Sequence, residues 1–92
     1  MTSTIKLDAR LDLRAARVLA GKIRNHDGMP LGIDAGQVQH LGALCLQVLL
    51  AAAASRRARG LALSVAPRSQ AFDTALRHFG IAPAQIQGGT AG

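Results

Sequence analysis

Between Leu41 and Ala54 the chain carries an apolar run interrupted only by Gly42 and Gln47 and closed by Arg56, Arg57 and Arg59. A membrane-spanning helix needs roughly 20 apolar residues, so this run is too short to span and belongs to a core. Read as a helix over 42–58 that closes at Gly60, it is apolar almost all round. Leu44, Cys45, Val48 and Ala52 lie on one flank, and Leu46, Leu49, Leu50 and Ala53 on another. Such a helix must be covered on more than one side. In a chain of 92 residues, enough for one domain, a sheet can cover one flank and neighbouring helices the other. The only aromatics are Phe72 and Phe79, so Leu, Ile, Val and Ala must fill that core.

The flanking segments supply the partners. "TIKLDA", residues 4–9, alternates Ile5, Leu7 and Ala9 with Lys6 and Asp8, as a half-buried strand near a sheet edge does. Asp12 then opens a helix with Leu13, Ala16, Leu19, Ala20 and Ile23 on one face, stopped by Gly28 and Pro30. "PLGIDA", 30–35, reads as a short strand whose Asp34 accepts bonds from turn amides, and "GQVQH" reads as a turn. After the long helix, "LALSVA", 61–66, is an apolar strand ending at Pro67. Ser69 caps a third helix with Phe72, Ala75, Leu76 and Phe79 on one face and Gly80 at its end. Residues 85–87 read as a short closing strand, and "GGTAG", 88–92, as a disordered tail. Alternation of strands and helices predicts an α/β domain over 1–87, with a mixed, mostly parallel sheet of about four strands covered by helices.

The net charge of +6 invites a nucleic-acid reading, but the cations are spread along the chain and only Arg56, Arg57 and Arg59 cluster. Those three sit where a helix ends, a place that favours cations. With no Tyr or Trp for stacking and no nucleic-acid motif, nucleic acid is not the expected partner. The start "MTSTIKLDARLD" has no apolar segment of the signal-peptide kind. A lone cysteine, Cys45, fits a reducing compartment and leaves no internal disulfide or Cys-based zinc site. The expectation is a cytoplasmic protein without membrane insertion.

The stretch from Ile33-Asp34-Ala35, through Val38 and Leu41, to Leu46-Gln47-Val48-Leu49-Leu50 resembles the signature of STAS domains. That family includes bacterial anti-sigma factor antagonists and cytoplasmic domains of sulfate transporters. Leu76, Gly80 and Ile81 are similar to the family's closing helix, and the resemblance extends over residues 4–87. In the antagonists a kinase phosphorylates a Ser where the central helix starts. The matching position here is Leu44, preceded by Ala43, with Gly42 in place of an Asp. Leu44 accepts no phosphate, so the charge switch that such a site supplies is missing from this turn.

The resemblance implies a non-catalytic module that binds proteins through the first turn of the long helix. The expected contact residues are His40, Leu41, Gly42, Ala43, Leu44 and Gln47, with the Arg14 to Arg17 surface as a lesser candidate. The implied partner is a histidine or serine kinase, including a chemotaxis complex. The alternative is the ATPase of a lipid transporter whose small STAS subunit this chain also resembles. Three further readings are weaker. Ser55, Ser64 or Ser69 would serve as another phosphate acceptor. Asp8, Asp12 and Asp34 would gather at strand ends around Mg²⁺, although capping and turn bonding account for the latter two. His26, His40 and His78 lie in separate segments, and Cys45 has no sequence neighbour that activates a thiol. No catalytic residue, cofactor or metal is expected.

Overall fold

The alternation in the first segment folds as its period requires. In the computed structural model, which describes residues 3–26 and 28–87, β1 (Ser3–Lys6) buries Ile5 and exposes Thr4 and Lys6. A two-residue strand, β2 (Arg10–Leu11), follows. The Asp12 carboxylate then accepts from the Ala15 amide at 3.1 Å and starts α1 (Leu13–Asn25). Gly28, at φ +84°, lets the chain turn back after that helix. β3 (Leu31–Ala35), β4 (His40–Leu41) and α2 (Ala43–Ala58) come next. β5 (Leu63–Arg68) runs through Pro67 rather than stopping at it. α3 (Gln70–His78) is capped by the Ser69 hydroxyl, which accepts from the Phe72 amide at 3.0 Å.

The main sheet has three parallel strands in the order β1-β3-β5. Parallel neighbours joined through helices are the expected result of strand–helix alternation. One face carries Ile5, Leu31, Ile33, Leu63 and Val65, all buried in the single core with Leu19, Leu46, Leu49, Phe72 and Leu76. On the other face Thr4, Lys6 and Ser64 are exposed. β2 and β4 form a second, two-stranded parallel sheet.

Several expectations are corrected. No closing strand forms at 85–87; Pro83–Ile86 is one turn of 3₁₀ helix. Pro83 suits the first position of a helical turn, the Gln85 side chain accepts from the Ala82 amide at 2.8 Å, and Ile86 is fully buried. Among the described residues the main sheet therefore has three strands, and the small β2-β4 pair stands apart from it. Leu13 is 70% exposed, because it lies at the rim of the α1 stripe, whose centre falls near Ala16, Leu19 and Ile23. Phe79 follows the last turn of α3 and is also exposed, leaving Phe72 and Leu76 as that helix's core residues. Residues 88–92, expected to be a tail, lie outside the described residues.

Candidate functional site

The start of α2 is built by the small sheet beneath it. β2 and β4 pair with Arg10 opposite His40 and Leu11 opposite Leu41. Strand alternation turns both leucines inward and both basic side chains outward. Leu41 is thus 4% exposed and part of the core, which leaves it little surface for a contact. The Leu11 carbonyl, at the end of β2, accepts from the Gly42 amide at 2.9 Å. A Cβ added to Gly42 would stand 2.8 Å from that same oxygen. Any side chain here would force the backbones apart, so α2 must begin on glycine and goes without the side-chain cap that Asp12 and Ser69 give the other two helices.

The remaining candidates are accessible. His40, Ala43 and Gln47 are exposed, Gly42 is half-buried and Leu44 is 42% exposed. Cys45 turns the other way: it is fully buried, and its thiol donates to the Asp12 carbonyl at 3.3 Å. Burial, and after it the negative charge of Asp12, push the thiol above its ordinary value. Cys45 is therefore a packed, protonated residue with no nucleophilic character at neutral pH.

The structure adds residues that the sequence reading missed. A groove of about 500 Å³ runs beside β4, lined by His40 and by Gln70, Thr74 and His78 of α3. These three recur every four residues, so they share one helix face. That polar stripe was legible in the sequence, but its place beside β4 depends on tertiary packing. The site is thus a small apolar tip, Ala43 and Leu44, next to a trough of mixed lining that also takes in Leu41, Ala71 and Ala75.

The other sequence candidates do not join it. Asp12 caps α1, and Asp34 accepts from the Gly36 amide at 2.9 Å, as expected of a turn residue. Among the described residues, no group of three or more His, Cys, Asp or Glu stands close enough to hold a metal ion. The Ser69 hydroxyl is occupied, donating to the Val38 carbonyl while it caps α3. Arg14 and Arg17 are exposed on α1. Among the described residues, no helix is long and apolar enough to cross a membrane.

Among the described residues, a three-stranded parallel sheet, a two-stranded parallel pair and three α-helices define an α/β domain. The family model described as "Mlab, STAS domain" matches residues 1–86, and the chain belongs to the STAS-domain family. Members of this family are generally non-catalytic modules that mediate protein contacts. No curated protein and no solved structure matches the chain.

Proposed function

We propose that this STAS domain regulates a bacterial signalling kinase, a histidine or serine kinase such as that of a chemotaxis complex, by docking through the first turn of α2. The observation that carries this reading is Leu44, 42% exposed on an uncapped helix start. Its position is fixed by the Leu11–Gly42 contact beneath it. Where other family members carry a phosphorylatable Ser, an apolar side chain presents a contact that no kinase can switch by phosphorylating that residue. The docking is therefore constitutive at this turn.

Leu44 alone does not make an interface. With less than half of its surface left to bury, it contributes about 1 kcal/mol, against about 8 kcal/mol for a micromolar complex. The rest must come from the neighbouring trough, with His40, Gln47, Gln70, Thr74 and His78 as polar contacts around the Leu44 anchor. The second reading, the small STAS subunit of a lipid transporter, uses the same tip against an ATPase.

The test is calorimetric titration of the purified chain into purified kinase and, in parallel, into the transporter ATPase from the same genome. Binding to the kinase that Leu44→Glu weakens at least about tenfold, or ~1.4 kcal/mol, is the expected result. Binding to the ATPase alone would transfer the role to the transporter. Equal binding by wild type and a folded Leu44→Glu variant would remove this tip from the interface.

A further inference from the structure

β1 is an edge of the main sheet, and its outer side is unpaired among the described residues. The Ser3 and Leu7 amides point inward, donating to the Pro30 carbonyl at 3.3 Å and the Asp34 carbonyl at 2.9 Å. By the two-residue period of a strand, Thr4 and Lys6 direct their N–H and C=O groups away from β3. Outside that edge lies a groove of about 300 Å³ between β1 and α1. Arg14, Val18 and Lys22 line its helix side, with Lys6 and Arg10 on the strand side. Val18 is 55% exposed there, an apolar residue between two cations. Of the two carboxylates on the lining, Asp8 and Asp12, the second is engaged in capping α1.

The spacing of that stripe is informative. Arg14, Val18 and Lys22 are four residues apart, which on a helix is a step of about 6 Å. Alternate residues of an extended strand are about 6.6 Å apart. A strand laid along the edge of β1 therefore brings every second side chain opposite a successive member of the stripe. The geometry points to a second docking site, distinct from the α2 tip: an acidic extended segment of a partner protein adds a strand to β1. Its side chains run acidic, any, apolar, any, acidic, so that the carboxylates meet Arg14 and Lys22 and the apolar residue covers Val18. The main-chain bonds to Thr4 and Lys6 hold the segment, and the cations select its charge. A second copy of this chain is a poor occupant, because pairing two such edges would bring two strands that each carry an exposed lysine together, and lysine on an edge strand opposes that pairing.

The probe is a blocked five-residue peptide, Glu-Thr-Val-Thr-Glu, titrated into the isotope-labelled full chain, with Lys-Thr-Val-Thr-Lys as its control. The expected result is saturable movement of the Thr4 and Lys6 amide signals with the acidic probe only, weakened by salt. Lys6→Gln keeps the outward N–H and Lys6→Pro removes it without touching the β1–β3 bonds, so Lys6→Pro should bind about tenfold more weakly than Lys6→Gln, the effect of roughly one hydrogen bond. Arg14→Glu, far from the β1–β3 ladder, should weaken the acidic probe as well. Equal binding by folded Lys6→Pro and Lys6→Gln, equal response to the basic control, or occupation of the edge by a second copy of wild type would each overturn the proposal.

Discussion

The two ends of α2 are treated in opposite ways. At its C-terminal end Arg56 is 1% exposed, and its guanidinium donates to the Met29 carbonyl and, at 2.9 Å, to the His26 carbonyl. Arg57 donates to the Gln85 carbonyl at 3.1 Å. These bonds tie the helix end to the loop before β3 and to the closing 3₁₀ turn. At its N-terminal end there is no side-chain cap, no charge in the first turn and an exposed leucine. One end of the helix holds the fold together, and the other is held in place by the fold. The tied end and the proposed docking tip thus lie about four turns apart on the same helix, and substitutions of Arg56 and of Leu44 should fail in different assays.

The largest effect is expected at the tied end. Arg56→Met keeps the apolar stem but removes the guanidinium donor from the Met29 carbonyl and leaves the His26 carbonyl with only the Met29 amide at 3.4 Å, and should cost about 3 kcal/mol in urea unfolding. A loss within 0.5 kcal/mol would show that water replaces the guanidinium and that this end is not the anchor. Gly42→Ala is expected to cost about 2 kcal/mol, because its Cβ meets the Leu11 carbonyl, a backbone atom that cannot rotate aside. If thermal unfolding is unchanged, the β2–α2 contact is softer than the 2.8 Å approach requires.

Leu44→Glu sharpens the contrast from the other side. Its stability should stay within about 0.5 kcal/mol of wild type, as for a surface position, while partner affinity falls. The smallest effect concerns Cys45. Its pKa is raised above 9.0 by burial first and by Asp12 second. The folded chain therefore keeps a proton that the unfolded chain releases. That contribution is complete below the ordinary thiol value and is lost as pH rises through the raised one. Relative to Cys45→Ala, wild type should lose stability as pH rises past the ordinary thiol value; parallel curves for the two proteins would mean that the thiol ionises freely in the folded state.

What could be read from the sequence was what is decided locally. Asp12 and Ser69 were legible as caps because a capping side chain acts within three residues of itself. The α2 helix was legible because its length and composition leave no other solution. The β2–β4 sheet was not, since two residues pairing in parallel leave no periodic trace. The inward direction of Leu41 is set by that pairing with β2. Arg56 looked like an ordinary cation at a helix end, and only the fold shows it buried beneath the turn before β3. The closing segment is ambiguous in sequence because Ile86 can be buried from either a strand or a turn; Pro83, suited to the first position of a helical turn, is its local signal. At the site, the Leu44 tip was visible one residue at a time, whereas the trough formed with α3 required two distant segments to meet.

The central claim is that an apolar, unswitched helix start docks a partner protein. Its most direct measurement is affinity capture from the native lysate with three baits, wild type, Leu44→Glu and Leu13→Glu, each first shown to be folded by circular dichroism. Leu13 is more exposed than Leu44 and lies on α1, so it controls for the removal of a surface leucine. The account predicts a kinase retained by wild type and Leu13→Glu and lost with Leu44→Glu. Equal retention of that kinase by all three baits would contradict it.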